Sequence, residues 1–229
     1  MNTALKCAML AAGALVASPA LAQDATPTPT ADTSREAGDW LFRARAIMVS
    51  PTESSGAVTG IAGSEVGVGN SVMPEVDFTY FVTKNIGAEL ILATTKHDVS
   101  GRGTISALGK IADTWVLPPT LTLQYHFLPE GKVHPYVGAG VNYTIFYSAD
   151  ATQSLNTALG ATKVKLDDSF GYALQAGIDI DVTPKFFVNA DIKYIDMDTT
   201  ARLTTGATKR SVNVEVNPIV AGVGVGFRF

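Results

Sequence analysis

The chain has 229 residues, of which 46% are hydrophobic and only 17% are charged. That composition excludes an intrinsically disordered chain. The net charge of −4 gives no basic surface for a nucleic acid. The single cysteine, Cys7, excludes an intrachain disulfide and a cysteine-based zinc site. Glycine and aromatic residues are abundant, a bias that is common in β-barrels.

The N-terminus has the features of a secretory signal peptide. Lys6 supplies a positive charge, residues 7–16 form an apolar segment, and Ala20-Leu21-Ala22 is a small-residue cleavage site. The apolar segment is too short to span a bilayer. We therefore expect residues 1–22 to be a signal peptide. We expect residues 23–38, which are rich in Thr, Pro and Asp, to form a flexible tail ahead of a barrel at 39–229.

From Trp40 onward the hydrophobic pattern is that of β-strands, because apolar and polar residues alternate with period two. The eight alternating stretches lie at 42–48, 75–80, 88–92, 120–126, 137–145, 169–181, 188–194 and 221–229. The charged residues inside these stretches share one face with Gly and Thr, whereas the other face is aliphatic and aromatic. The two faces must therefore meet different surroundings.

The connections between these stretches alternate in length. Residues 81–85, 128–134 and 182–185 form short turns, and the other connections are long. With aromatic residues near the strand ends, this pattern predicts an all-β fold. The predicted fold is an eight-stranded antiparallel transmembrane β-barrel with short periplasmic turns and long extracellular loops. The alternative is a secreted lipocalin-like barrel with the bulky face inward, but an eight-stranded interior is narrow for so many large side chains.

Seven segments, in order, resemble one family, the OmpW family of small outer-membrane proteins, which includes AlkL-type alkane importers. The segments are Gly38-Asp39-Trp40 with Arg43, then 85–89, 117–120, 135–144, 171–175 with Gly177 and Asp179, 189–191 with Tyr194, and 217–218 with 224–229. The resemblance implies a barrel in the bacterial cell outer membrane whose partners are membrane lipid and small hydrophobic solutes. Phe170 departs from the family, in which we expect a Trp, and the loops match least, so the substrate range does not carry over.

The chain ends with apolar residues at every second position, a pattern that resembles the signal read by the barrel-assembly machinery. We expect Val225, Phe227 and Phe229 to form this assembly signal. The barrel-assembly machinery is therefore an expected partner, and a nucleic acid is not.

Charged residues on the inner face should meet inside the barrel. We expect a lumen ion-pair network of Arg43, Arg45, Glu75, Asp77, Glu89 and Arg228. Buried charges must be paired, and adjacent strands of a narrow barrel supply the partners. An ion-selective constriction is the alternative interpretation of the same residues.

The long loops carry more apolar residues than surface loops usually do, which indicates a binding surface or packing among the loops. The candidates for an apolar vestibule are Ile105, Leu108, Ile111, Trp115, Leu155 and Leu159. We expect residues 149–160 to be able to hold a short helix. The predicted function is passive admission of small hydrophobic molecules through this vestibule, with lateral exit to the membrane.

Two other functions are open from the sequence: a structural or receptor barrel without transport, and a lipid-modifying barrel enzyme. An enzyme would need a nucleophile or a histidine-centred triad near the outer leaflet. Only His97, with Asp98 and Ser100 beside it, lies at that end. His126 and His134 flank one turn, but two histidines are a weak metal signal. We therefore expect no catalytic residue, no metal and no cofactor.

Overall fold

The computed structural model describes residues 33–229, so the predicted signal peptide and residues 23–32 of the predicted tail lie outside the described residues. Within residues 33–229, no helix has the length and hydropathy needed to cross a membrane. The elements in chain order are β1 (Trp40–Ser50), β2 (Ser54–Ser55), β3 (Ser64–Val68), β4 (Ser71–Phe81), β5 (Ile86–Ala93), β6 (Thr95–Gly103), a 3₁₀ turn (Ser106–Leu108), β7 (Lys110–Leu117), β8 (Thr120–His126), β9 (Val133–Ala151), α1 (Gln153–Leu159), β10 (Thr162–Leu166), β11 (Ser169–Asp181), β12 (Phe186–Ile195), β13 (Asp198–Thr205), β14 (Thr208–Glu215) and β15 (Ile219–Arg228).

Eight of these strands close into an antiparallel barrel, as the sequence predicts. Their order around the wall is β11-β12-β15-β1-β4-β5-β8-β9, and β9 pairs with β11 to complete the circle. Seven of the eight alternating stretches lie within one of these strands, and the eighth, 221–229, extends one residue past the end of β15. The chain closes on itself through β1 and β15, where Leu41 pairs with Arg228 and Ser50 with Ile219. Closure leaves these strands no unpaired edge within the membrane.

The two faces of the barrel wall differ as the alternation predicts. On β8, Leu121 and Leu123 are 55% and 62% exposed, whereas Thr120 and Thr122 are each 1% exposed. Aliphatic and aromatic side chains therefore point to lipid, and polar side chains fill the lumen. Aromatic pairs lie at the periplasmic end of the outer face, including Trp40 with Tyr80, whose ring centroids are 5.0 Å apart.

The long connections contain more strand than the sequence predicts. Strands β3, β6 and β7 continue the wall on one side, and β10, β13, β14 and β2 form a separate four-stranded sheet. These strands carry charged and hydroxyl side chains outward instead of aliphatic ones, so their alternation is harder to detect in the sequence. The helix α1 lies within the predicted 149–160 segment, capped by Thr152, whose side chain accepts a hydrogen bond from the Leu155 amide.

Residues 33–38, the described part of the predicted tail, contact the barrel. The Arg35 amide donates to the Pro129 carbonyl over 2.8 Å, and the Thr33 hydroxyl donates to the Gly131 carbonyl. The Arg35 side chain enters the barrel and is 1% exposed. The physical reason is that the Arg35 guanidinium forms ion pairs with Asp179 and Asp181 on β11. The composition of the tail does not reveal this attraction, because both partners lie far away in the sequence.

The C-terminal residues complete the periplasmic rim. The backbones of Trp40 and Phe229 exchange two hydrogen bonds of 3.0 Å, each from an amide to a carbonyl. These bonds join the start of the first barrel strand to the end of the last one. Val225 and Phe229 are exposed on the outer face, and the Phe227 and Phe229 rings stack with centroids 5.9 Å apart. This outward apolar row is the segment for which we expect a role in assembly.

Candidate functional site

The periplasmic half of the lumen is filled by charged side chains, which we call the lumen charge network. Its members are Arg35, Arg43, Arg45, Lys193, Glu75, Asp77, Glu89, Asp179, Asp181 and Asp191. Each member is buried. Buried charges require this pairing, because an isolated charge in a low-dielectric interior is very costly.

Arg43 lies at the centre of the network. Its guanidinium lies 2.9 Å from Asp77 on the neighbouring strand and 2.8 Å from Asp179 across the barrel. It also donates to the Thr79 hydroxyl over 2.8 Å and lies over the rings of Tyr136 and Phe187. Arg43 therefore ties three separate parts of the wall together.

Arg45 and Lys193 form the next layer toward the extracellular side. Arg45 lies 2.6 Å from Asp77, 2.9 Å from Glu75 and 3.0 Å from Asp191. Lys193 bridges the last two carboxylates at 2.7 and 2.9 Å. Cationic and anionic side chains are therefore paired in these layers. The described residues form no ring of like charges of the kind that selects ions in a channel.

Glycines on the inner face make room for large aromatic side chains, which occupy the rest of the lumen at this level. A Cβ atom at Gly226 would overlap the ring of Phe187, and one at Gly177 would overlap the hydroxyl of Tyr136. Both aromatic side chains are almost fully buried. The lumen at this level is therefore occupied by protein, as an eight-stranded barrel requires.

An apolar cavity lies directly above the lumen charge network, with a volume of about 370 Å³. Glu75 and Lys193 belong to its lining and mark its lower end. Its walls are aliphatic side chains from the extracellular ends of the barrel strands and from the extension strands, among them Ile47, Ile91, Val116, Leu203, Val214 and Val220. A cavity of this size with few polar groups has the character of a site for a small ligand.

Five of the six vestibule candidates line this cavity. They are Ile105, Leu108, Ile111, Leu155 and Leu159. The last two lie one turn apart on α1, so they share the face that packs over the cavity. Ile111 and Leu155 are only 6% and 4% exposed, because the loops pack together while enclosing the cavity.

Trp115 is the exception among the vestibule candidates, and that assignment is corrected. It lies on β7, where Thr114 and Val116 line the cavity and Trp115 does not. Its ring stacks on Tyr147, which is exposed, with centroids 6.4 Å apart. The sequence predicts a loop for this segment, whereas the structure forms a strand there, and a strand sends neighbouring side chains to opposite faces.

Arg228 also lies away from the expected position. It is at the periplasmic rim, where its guanidinium donates to the carbonyls of Ser34 and Pro184 and lies 3.8 Å from Asp39. Besides Arg35, which precedes β1, four members of the lumen charge network were not predicted from the sequence: Asp179, Asp181, Asp191 and Lys193. Their signal was available, since they lie on the polar face of their strands.

The histidines do not assemble into a triad or a metal site within residues 33–229. The Nδ1 atom of His97 lies 2.9 Å from the Gly69 carbonyl, and Nε2 lies 3.0 Å from the Thr95 hydroxyl. Asp98 instead pairs with Lys110 at 2.7 Å. His134 contacts Asp181 at 2.9 Å, and His126 contacts Gln124 at 3.0 Å.

Comparison with known proteins agrees with an outer-membrane barrel. The model of the OmpW family matches residues 36–229. Outer membrane protein W of Escherichia coli (strain K12) is 37% identical over 198 residues, which are 86% of this chain and 91% of that protein. The Dibenzothiophene metabolism operon protein PahQ of Pseudomonas aeruginosa is 35% identical over 159 residues, which are 67% of this chain and 69% of that protein.

A solved structure has the same architecture. The crystal structure of the outer membrane protein OprG from Pseudomonas aeruginosa superposes with a TM-score of 0.81 at 32% sequence identity. The match covers 86% of this chain and 98% of that one. The family match spans the whole barrel, and two of these proteins, outer membrane protein W and OprG, are named outer-membrane proteins. The chain therefore belongs to the OmpW family and is an eight-stranded β-barrel of the bacterial outer membrane.

Proposed function

We propose that this barrel passively admits small hydrophobic molecules into its extracellular apolar cavity and releases them sideways into the outer leaflet, without catalysis. The observation that carries the proposal is an apolar cavity of about 370 Å³ that ends below on a filled, charged lumen. A solute that enters from outside is received by aliphatic side chains and meets a barrier at Glu75 and Lys193.

Passage straight through the lumen is unfavourable for an apolar solute. It would have to separate Lys193 from Glu75, 2.7 Å apart, and then separate Arg45 from Asp77, 2.6 Å apart. Breaking one buried pair costs several kcal/mol, whereas transfer from an apolar cavity to lipid exposes no apolar surface to water. The free energy therefore favours an exit through the wall.

A break in the wall offers such an exit, and we call it the β9–β10 seam. The pairing of β9 with β11 ends at Thr144 and Ser169, and residues 145–151 of β9 pair only with β7. Strand β10 pairs only with β13. Phe146 and Val164, on opposite sides of the seam, both line the cavity.

The extension has a second break, which hydrogen bonds bridge at two residues, Glu53 and Ser55, whereas the hydrogen bonds at the β9–β10 seam meet, within residues 33–229, at Asp168 alone. Between β2 and β3, the Val66 amide donates to the Ser55 hydroxyl over 2.8 Å, and the Val68 amide donates to Glu53 over 3.1 Å. At the β9–β10 seam, Asp168 accepts from the Tyr143 hydroxyl over 3.0 Å and from the Phe146 amide over 3.4 Å, close to the point where the pairing of β9 with β11 ends. Exposed Tyr143 and Tyr147 flank this seam, as aromatic residues do at a membrane interface.

The relatives are consistent with an apolar cargo. PahQ is named for an operon of dibenzothiophene metabolism, and dibenzothiophene is an apolar aromatic molecule. The resemblance to AlkL-type importers points to the same chemical class. The rival interpretation, a lipid-modifying enzyme, would use His97 as its catalytic histidine. The Nδ1 atom of His97 contacts the Gly69 carbonyl and the Nε2 atom contacts the Thr95 hydroxyl, so this histidine gives that interpretation no support.

Uptake of n-octane by cells should rise when the chain is expressed. The triple change Ile105→Asn, Leu108→Asn and Ile111→Asn should lower the initial uptake rate several-fold, because it places polar groups in the cavity wall. Radiolabelled n-octane measures the rate, and heat-dependent migration on a gel verifies that the barrel is folded. Trp115→Gln is the matched control: it changes a large side chain on the same strand as Ile111 but outside the cavity, so uptake should persist. Unchanged uptake in the folded triple variant would favour a structural barrel without transport.

A reversible cross-link over the β9–β10 seam should block uptake. Exposed Tyr143 and exposed Asp168 meet across the seam, where the hydroxyl donates to the carboxylate over 3.0 Å. A bifunctional methanethiosulfonate should cross-link the double variant Tyr143→Cys, Asp168→Cys and lower n-octane uptake, and a reductant should restore it. The single-cysteine variants treated with the same reagent are the controls. Full uptake by the cross-linked protein, or a large planar-bilayer conductance lost on changing Glu75 or Arg45, would contradict lateral exit.

A further inference from the structure

We propose that the outer face of the β10–β13–β14 sheet binds the phosphorylated sugar part of the glycolipid in the outer leaflet. The face carries four exposed cationic side chains, which we call the basic face. They are Lys163, Lys165, Arg202 and Lys209. The inference concerns an interaction surface and does not depend on what the cavity admits.

Strand register places these cations together. Thr204 pairs with Lys163 on one side and with Lys209 on the other, so the three residues form one row across the sheet. Lys165 pairs with Arg202 in the next row. Directly paired residues point to the same face, about 5 Å apart. Lys165 and Arg202 are like charges at that spacing, and Lys163 and Lys209 flank Thr204 on its two sides, so the arrangement favours an external anion over this face.

The opposite side of the extracellular extension is built differently. There Lys96 pairs with Asp113, Arg102 pairs with Glu53, and Lys110 pairs with Asp98 at 2.7 Å. On the basic face, only Arg202 has a carboxylate partner. Across residues 33–229, Lys163, Lys165 and Lys209 form no ion pair. The unbalanced positive charge is therefore confined to one side of the barrel.

The acidic residues near the basic face are already occupied. Asp167 accepts three hydrogen bonds from Arg202, the shortest 2.5 Å, and the hydrogen bonds from that guanidinium hold the pKa of Asp167 below its usual range. Asp168 accepts from Tyr143 and Asp198 accepts from Ser169. These carboxylates lie between the lysines and the exposed aromatic residues, which mark the membrane interface. The lysines therefore lie above the lipid plane and face the groups of a lipid that project from it.

Phosphate on the sugars of an outer-leaflet glycolipid has the charge and the position that this face requires. Lysine ammonium groups form strong charge-assisted hydrogen bonds to phosphate oxygens. A lipid-anchored ligand is also held at high local concentration beside the wall. Since β10 forms both the basic face and one edge of the β9–β10 seam, a bound glycolipid would stand beside that seam.

The test measures binding of fluorescent rough lipopolysaccharide, which has a phosphorylated core, to the full-length protein in detergent. The triple change Lys163→Gln, Lys165→Gln and Lys209→Gln should weaken binding by at least about tenfold, because each cation near such a surface contributes several-fold. The control Lys84→Gln, Lys132→Gln and Lys185→Gln removes the same charge from the periplasmic turns and should leave binding intact. Heat-dependent migration on a gel verifies folding, which exposed positions should preserve.

Two further ligands identify the group that is bound. Lipopolysaccharide whose core phosphates have been removed should bind the unaltered protein about as weakly as the triple variant binds the intact lipid. Lipid A alone, without core sugars, should bind the unaltered and triple-variant proteins equally. Equal binding of intact lipopolysaccharide by the triple variant, or undiminished binding of the dephosphorylated form, would overturn the proposal. A loss of lipid A binding in the triple variant would also overturn it, by assigning the contact to the lipid plane.

Discussion

Arg43→Met should lower the free energy of unfolding by about 3–5 kcal/mol, the range for breaking a buried ion pair by removing one partner. The change keeps most of the apolar volume of the side chain but removes the cation between Asp77 and Asp179. Both carboxylates are fully buried, so neither can recover its solvation from water. Denaturant titration of the barrel refolded on lipid vesicles measures the effect.

The double variant Arg43→Met, Asp179→Asn should be more stable than the sum of the two single changes predicts, because it removes an anion together with its cation. Arg202→Met is the matched control, since Arg202 also makes a close carboxylate pair, but in solvent. It should change stability little. Equal losses for Arg43 and Arg202 would mean that the lumen is solvated and that the network does not fill it.

Leu174→Arg should lower the free energy of unfolding by about 2–4 kcal/mol, as a cation does on the lipid face near the bilayer midplane. Leu174 is 49% exposed and lies in the middle of β11. Refolding titrations on lipid vesicles measure the loss. Val182→Arg is the control, because Val182 follows the end of β11 at the periplasmic rim and should lose at most about 1 kcal/mol.

Equal costs for Leu174→Arg and Val182→Arg would contradict the assignment of depth on this strand. The neighbouring position Gln175, on the inner face of β11, is a poor control for Leu174→Arg. It is 6% exposed and donates to Glu89 over 2.6 Å, so a larger side chain would collide with the lumen charge network. Here packing, and not exposure to lipid, would determine the cost.

The sequence predicts the barrel well because a strand that separates lipid from a polar interior must alternate strictly. The stretch at 169–181 coincides with β11, and 120–126 coincides with β8. The extracellular strands were missed where this constraint ends. On β13 and β14, for example, Arg202 pairs with Ser211 and Thr204 with Lys209, so the outer face has no apolar row to detect.

The site is less predictable, since its key contacts cross the barrel. Arg43 with Asp77 follows from neighbouring strands, whereas Arg43 with Asp179 joins residues 136 positions apart. Alternation assigns both side chains to the lumen but does not give their heights within it. Composition pointed to apolar residues of the long connections, five of which line the cavity. Trp115 does not line it, because composition does not distinguish the two faces of an unrecognised strand.

The position of Arg35 has a consequence for the order of assembly. Its guanidinium lies 3.6 Å from Asp179 and 3.3 Å from Asp181, which are synthesised more than 140 residues later. The segment that carries it can therefore dock only after β11 has joined the wall, which makes docking one of the last events of folding. Until then, the segment that carries Arg35 remains outside the open lumen in the periplasm. Docking of this segment inside the barrel therefore occurs only in a molecule whose wall has closed. A chain that fails to close leaves the segment accessible to periplasmic proteases.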